Sequence, residues 1–106
     1  MKKMFISIPM QGKTIEQIKY EMNEIHQHMC SENRLNEQYQ LIDTVFDQFD
    51  QIDVPNKALY CLGHSLQKLA EADIAVFAKG WATARGCLLE HQACVQYGIE
   101  TSYYFE

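Results

Sequence analysis

Hydrophobic residues in this chain follow two spacings, and each spacing predicts one kind of element. Short unbroken runs of apolar, β-branched and aromatic residues are typical of buried strands. Such runs occupy residues 4–8, 40–46, 73–78 and 101–105. Between the runs, apolar residues recur every three or four positions, which is the pattern of a helix with one buried face. Strands and helices therefore alternate along the chain.

Local signals set the ends of three predicted helices. Thr14 and Gln17 form a capping box that begins the first helix. The second helix covers about residues 56–72, and the third covers residues 86–97. Gly98 follows the third helix, where a left-handed residue commonly ends a helix. The predicted apolar faces of the first two helices are Ile15, Ile18, Met22, Ile25 and Met29, and Leu59, Leu62, Leu66 and Leu69.

The alternation of strands and helices predicts the fold class. Strands separated by helices form a parallel sheet with helices on both faces, and right-handed connections leave few strand orders. For β-α-β-α-β-α-β, the simplest doubly wound α/β order of the four strands is 2-1-3-4. Ligands in such sheets bind beyond the carboxyl ends of the strands, where the winding reverses. The loops at residues 9–13 and 79–86 would meet there.

Composition narrows the classes of protein and partner. With 106 residues and 47% hydrophobic content, residues 1–106 have room for one core and form one domain. The net charge is -5 and the nine basic residues are scattered, whereas a binder of duplex nucleic acid needs a basic stripe. We find no signal peptide and no apolar stretch that could span a membrane, so the expected location is the cytoplasm.

The cysteines and histidines predict neither a disulfide framework nor a metal site. Without a C-x-x-C pair, the thiols are expected to be reduced and mostly buried. The four are Cys30, Cys61, Cys87 and Cys94. His26 and His28 lie two apart on a helix, so they point in different directions and do not share a metal. We expect no cofactor.

The loop after the first strand contains a short motif. Residues 7–14 are SIPMQGKT, to be compared with the P-loop pattern G-x-x-x-x-G-K-[ST]. Ser7 replaces the first glycine and Pro9 removes an amide from the phosphate cradle, which disfavours a P-loop that binds a triphosphate. Two alternatives remain: a turn followed by a solvated Lys13, or a helix N-terminus that binds one phosphate or carboxylate.

Glu90 is the candidate catalytic residue. It shares one face of the third helix with Cys87, Cys94 and Tyr97 and leans over Gly86, which has no side chain to block it. A carboxylate held there is suited to act as a nucleophile or general base. The alternative is a first-turn glutamate that is favoured only by the helix dipole.

Two further residues are candidates on the second loop. Trp81 follows the third strand directly, where its ring could stack on a base or sugar, or could cover the neighbouring helix as a hydrophobic lid. Arg85 precedes the third helix and could pair with a phosphate or with Glu90.

Read together, the two loops carry a resemblance to a known superfamily. The chain resembles the nucleoside 2-deoxyribosyltransferases, and within them a group of small bacterial and phage domains, in FISIPMQGKT and AEADIAVFAKGWATARGCLLEHQACVQYGI. The group's patterns are roughly Y-I-S/A-G-P-M-x-G and A-D-x-x-x-F-x-x-G-W-x-x-S-R-G-x-x-x-E-x-x-x-A-x-x-x-G. The resemblance covers nearly the whole chain, and its second motif is long and fairly specific.

The resemblance implies a flavodoxin-like fold and an enzyme that cleaves or transfers the N-glycosidic bond of a deoxynucleoside or its 5'-monophosphate. Glu90 matches the nucleophile, which attacks the anomeric carbon and forms a glycosyl-enzyme intermediate. The resemblance also implies a homodimer or higher homo-oligomer. The residues that it and the two loops assign to substrate binding are Phe5, Pro9, Met10, Gly12, Lys13, Trp81, Ala84, Arg85 and Gly86.

The chain departs from the family's pattern at three positions. Phe5 replaces a tyrosine whose hydroxyl supports the nucleophile, and Ile8 replaces a glycine. Ala84 stands where hydrolases carry serine and transferases carry aspartate. Either another residue supplies these polar groups, or the protein binds a small nucleotide or ADP-ribose-like signal without turnover.

Overall fold

The computed structural model describes residues 1–31, 38–45 and 51–105. A four-stranded sheet and three helices make up this part of the chain. The strands are β1 (Lys2–Ser7), β2 (Tyr39–Leu41), β3 (Ile74–Ala78) and β4 (Glu100–Tyr104). The helices are α1 (Ile15–Ser31), α2 (Lys57–Leu69) and α3 (Arg85–Tyr97), with a 3-10 turn at Trp81–Thr83 before α3.

The sheet confirms the predicted fold class. All strand pairs are parallel and the strand order is β2-β1-β3-β4. This is the doubly wound, flavodoxin-like order, in which the chain first builds the sheet outward from β1 on one side and then on the other. The winding reverses between β1 and β3, where Phe5 pairs with Ala75 and Ser7 with Phe77.

Two buried layers hold the helices against the sheet. On one face, α1 packs its Ile18, Met22, Ile25 and Met29 on side chains that include Met4, Ile6 and Val76. On the other face, Leu69 of α2 and Cys94 of α3 pack on Phe5, Ala75 and Phe77. Since side chains alternate along a strand, Phe5 and Ser7 lie on the face that α3 covers. This alternation decides which residues of β1 can reach the third helix.

Polar caps and one glycine fix the helix ends. The capping box is confirmed: Thr14 Oγ1 accepts from the Gln17 amide, and the Gln17 side chain accepts from the Thr14 amide. Asn56 caps α2 through the Leu59 amide. Gly98 ends α3 with a φ of 73°, a left-handed conformation that favours glycine.

The second strand is shorter than predicted. The prediction covered residues 40–46, but β2 is Tyr39–Leu41. The Ile42 amide still donates to the Met4 carbonyl, and then the Asp43 carboxylate accepts from the Val45 amide and turns the chain away. Residue 46 of the predicted strand lies outside the described residues.

Three predicted apolar faces are corrected at their ends. Ile15, the first residue of α1, is 36% exposed, whereas the other four predicted residues of that face are buried. Leu59 is 62% exposed, because α2 buries mainly Ser65 and Leu69 in its later turns. Tyr97 is 84% exposed as the last residue of α3, although Cys87, Glu90 and Cys94 on the same face are buried. Within the described residues, no helix has the length and apolar character needed to cross a membrane.

Candidate functional site

The loops after β1 and β3 touch each other at the carboxyl edge of the sheet. Gly80 has a φ of 91°, and a Cβ atom there would lie 3.4 Å from Cγ of Pro9. The left-handed backbone and the close approach of Pro9 both favour glycine at this position. The two loops therefore meet at the point where the strand order places a ligand site.

A buried hydrogen bond joins β1 to α3 beside these loops. The Ser7 hydroxyl donates to Oε1 of Glu90 at 2.6 Å, and both residues are buried, at 2% and 7% exposed. Ser7 is the last residue of β1, while Glu90 lies in α3 between the buried Cys87 and Cys94. The short distance is that of a strong O–H···O bond to a carboxylate.

Burial dominates the electrostatics of Glu90. Desolvation raises its pKa to about 7, although the hydrogen bond from Ser7 acts in the opposite direction. None of the ion pairs recorded among the described residues involves Glu90. A carboxylate with a pKa near neutrality can serve as nucleophile when ionised and can exchange a proton at physiological pH.

The position of Glu90 overturns the alternative explanation of this residue. A glutamate favoured only by the helix dipole would be exposed in the first turn, but α3 has no acidic residue in its first turn. Glu90 lies further along the helix and faces the sheet. A Cβ at Gly86, one turn earlier, would have no atom within 4 Å, so the space there is open.

Cys87 lies next to this pair but is not activated. It is 4% exposed, and burial raises its pKa to about 11, although the Ser7 hydroxyl and the charge of Lys13 act in the opposite direction. The nucleophilic form of a cysteine is the thiolate, and this thiol stays protonated near neutral pH. Its role is packing, as the sequence predicts for Cys87 and Cys94.

Lys13 is ion-paired rather than solvated. Its Nζ lies 2.9 and 3.3 Å from the two carboxylate oxygens of Glu21 on α1. The loop reaches this position through a turn in which the Lys13 amide donates to the Met10 carbonyl and Gly12 adopts a φ of 80°. The ion pair disfavours the first of the two alternatives, a turn followed by a solvated Lys13, while a phosphate contact by Gly12 and Lys13 stays a prediction.

Trp81 packs against α3 as a lid. Its ring stacks on His91 with centroids 4.2 Å apart, and it lies 5.5 Å from Phe77. His91 Nε2 forms a hydrogen bond of 2.7 Å with the Tyr103 hydroxyl. Phe77, Trp81, His91 and Tyr103 thus form an aromatic cluster on the α3 side of the sheet. Stacking of Trp81 on a base stays a prediction.

The remaining predicted residues differ in how deeply they are buried. Phe5 is 1% exposed in the core with Leu69 and Cys94, and it has no hydroxyl to offer. Met10 and Arg85 are exposed, and Ala84 is the residue before α3 in an extended conformation. The described residues contain no ion pair between Arg85 and Glu90, so that predicted pairing is not formed.

Sequence reasoning missed Ser7 as a partner of Glu90. In the sequence pattern, Ser7 is notable only because it replaces the first glycine of a P-loop. The alternation of Phe5 and Ser7 on β1 and the apolar face of α3 around Glu90 were the signals that could have paired them. The hydrogen bond of His91 was not predicted either, because its partner Tyr103 lies twelve residues later in the sequence, on β4.

The chain matches no protein-family model, no curated protein and no solved structure. The resemblance to nucleoside 2-deoxyribosyltransferases, the homo-oligomer and the location in the cytoplasm therefore stay predictions. The fold and the contacts of Glu90 rest on the structure alone.

Proposed function

We propose that the protein cleaves or transfers the N-glycosidic bond of a 2'-deoxynucleoside or its 5'-monophosphate, with Glu90 as nucleophile. The observation that carries the proposal is the buried hydrogen bond between Ser7 and Glu90 at the reversal of the strand order. A buried carboxylate costs stability unless something compensates for its desolvation, and such groups concentrate at functional sites. The open space around Gly86, one turn before Glu90, supports the proposal that a sugar approaches this end of α3.

The reaction proceeds in two displacements. The ionised Glu90 carboxylate attacks the anomeric carbon, while the bond to the base breaks and its electron pair leaves with the base nitrogen, which takes a proton from solvent. In the second step, water or another base attacks the same carbon, the bond to the Glu90 oxygen breaks, and the proton of the attacking group passes to solvent. The Ser7 hydroxyl fixes the orientation of Oε1 and lowers the pKa of Glu90, which favours the ionised, reactive form.

The Ser7 hydroxyl can replace the hydroxyl of the family's tyrosine. Phe5 cannot donate a hydrogen bond, but Ser7 lies two residues further along the same face of β1 and does donate to Glu90. The support that the resemblance assigns to a tyrosine is therefore available from another residue of the same strand.

The test is release of free base from a panel of deoxynucleosides and deoxynucleotides, followed by chromatography. We expect the wild-type protein to release base and Glu90→Gln to release none, because the amide cannot form the glycosyl ester. Glu100→Gln is the matched control, since Glu100 is an exposed carboxylate at the start of β4, at the opposite end of the sheet. Base release that survives Glu90→Gln would remove Glu90 as nucleophile.

A second candidate is a nucleotide-binding protein without turnover. Phe5 and Ala84 favour it, because both replace polar groups of the family's site and neither offers a hydrogen-bonding side chain. In this case a nucleotide raises the melting temperature and is recovered unchanged afterwards. Recovery of free base from the same sample would contradict this candidate and support the enzyme.

A further inference from the structure

The ion pair between Lys13 and Glu21 neutralises a cation of the candidate site. Both carboxylate oxygens of Glu21 approach the ammonium group, and the two side chains are 30% and 34% exposed. Lys13 follows the left-handed Gly12 in the loop after β1, and Glu21 projects from α1. The pair thus links the loop to the helix that follows it.

Lys13 belongs to one of the two loops that meet at the carboxyl edge of the sheet. Ser7, the last residue of β1, donates to Glu90, and Lys13 lies in the loop that follows Ser7. The Lys13–Glu21 pair thus belongs to the loop at the edge where the strand order places a ligand. The other cations of the two loops, Lys79 and Arg85, are exposed.

The charges around the site disfavour a phosphate group. A phosphate dianion that approached Lys13 would also meet the carboxylate of Glu21. Lys13 can bind the phosphate only after its two contacts with Glu21 break. A neutral deoxynucleoside meets no such obstacle, because it requires no counter-charge.

We propose that Glu21 is a specificity-determining residue, which occupies Lys13 and makes the site select neutral deoxynucleosides over their 5'-monophosphates. This inference rests on the proposed function, which leaves open whether the substrate is a deoxynucleoside or its 5'-monophosphate. It narrows the substrate to the deoxynucleoside. It assigns a role to a residue of α1 that none of the sequence motifs includes.

The experiment is a double-mutant cycle on phosphate binding. Titration calorimetry measures the dissociation constants of inorganic phosphate and deoxyadenosine 5'-monophosphate for the wild type, Glu21→Gln, Lys13→Gln and the double variant. We expect Glu21→Gln to bind both probes about fivefold more tightly, because Lys13 no longer has to break an ion pair worth at most about 1 kcal/mol. Lys13→Gln alone should change binding by less than about twofold, and in the double variant it should abolish the gain.

Controls separate a local effect from a change of overall charge. Glu24→Gln removes one charge from the same helix, at an exposed residue that does not contact Lys13, and should leave phosphate binding unchanged. Deoxyadenosine binding should be equal in all variants. Because the pair is partly exposed, its loss costs at most about 1 kcal/mol and the variants should fold, which circular dichroism checks.

Two results would overturn the proposal. One is Glu21→Gln with no gain in phosphate affinity. The other is a large loss on Lys13→Gln alone, which would show that Lys13 already binds phosphate in the wild type. The outcome is independent of catalysis: absence of base release from every deoxynucleoside contradicts the proposed function, while the phosphate titrations still decide the role of Glu21.

Discussion

Glu90 is a single residue whose burial links the stability of the fold to pH. Its pKa is 4.5 in an unfolded chain and is raised to about 7 in the folded protein. The folded state therefore binds the proton more tightly, and this contribution to stability is complete below pH 4.5 and lost as the pH rises through about 7. The carboxylate that serves the proposed chemistry thus weakens the fold at neutral and higher pH.

Replacement of Glu90 by glutamine should remove this dependence. Between about pH 5 and about pH 8, we expect the free energy of unfolding of the wild type to fall by about 3 kcal/mol relative to Glu90→Gln, since the amide does not titrate. Urea denaturation at several pH values measures this difference, and Glu100→Gln serves as control because its carboxylate is exposed. Parallel curves for the wild type and Glu90→Gln would contradict the raised pKa.

Ser7 controls the ionisation of Glu90 through one hydrogen bond. Because this bond lowers the pKa of Glu90, Ser7→Ala should raise it further and move the acid limb of the pH–rate profile for base release upward. At neutral pH we expect a rate loss of about tenfold to about a hundredfold, typical of a lost hydrogen bond to a charged group. Ser65→Ala removes another buried serine, on α2, and should leave the profile in place. An unshifted limb in Ser7→Ala would contradict this role of Ser7.

Single residues differ in how far the sequence predicts them. Glu90 stands out because a carboxylate on an apolar helix face needs an explanation. Ser7 does not, because a hydroxyl at the end of a strand becomes important only when the register and the helix packing bring a partner to it. The pairing of Lys13 with Glu21 is hidden for the same reason, since eight residues and a turn separate the two.

At the scale of elements, one glycine lies inside α2 and another follows α3, and the two have different backbone requirements. Gly63 lies inside α2, where a Cβ would meet no atom within 4 Å. Gly98 ends α3 with a φ of 73°, which side chains rarely adopt. Chain entropy favours alanine at the first position, and steric strain disfavours it at the second.

The two substitutions to alanine should therefore have opposite effects. We expect Gly63→Ala to stabilise the protein by about 0.5 to 1 kcal/mol and Gly98→Ala to destabilise it by about 1 kcal/mol. Each variant is the control for the other, because both add one methyl group at an exposed glycine. Chemical denaturation measures both, and a loss of stability in Gly63→Ala would show that α2 has no room for a side chain there.

The elements themselves were predictable where local signals were strong. The capping box of α1 and the apolar run of β3 lie where the sequence indicates. The end of β2 was not predictable. The run of apolar residues continues past Leu41, whereas the turn at Asp43 ends the hydrogen bonding between the strands. A side chain that accepts a hydrogen bond from the backbone two residues later competes with strand pairing. The spacing of hydrophobic residues carries no information about this competition.

At the scale of the whole molecule, the four cysteines fall into two classes of exposure. Cys87 and Cys94 are buried between α3 and the sheet, and burial raises the pKa of both to about 11. Cys30 and Cys61 are partly exposed. The reactivity of Cys87 and Cys94 should therefore report whether α3 is packed against the sheet.

Alkylation of the native protein should label the two classes in order. We expect Cys30 and Cys61 to react first at neutral pH, with Cys87 and Cys94 labelled only as the protein opens. Mass spectrometry of peptides gives the order, and the unfolded protein, in which all four thiols are accessible, is the control. Early labelling of Cys87 would contradict the closed packing around Ser7 and Glu90.

The fold as a whole was the most predictable level. Alternating strands and helices leave few arrangements once the connections are right-handed, so the order 2-1-3-4 and the meeting of the two loops follow from the pattern. The contacts inside the site were less predictable, because they depend on side-chain directions at the junction of three elements.

Trp81 gives the protein an optical property of its own. It is the single tryptophan of the chain, and its indole stacks on His91, the residue that follows Glu90. Indole emission depends on the immediate surroundings of the ring, so a ligand that moves the loop after β3 changes the fluorescence of the whole protein. The state of the candidate site can therefore be followed in real time by intrinsic fluorescence, without any label.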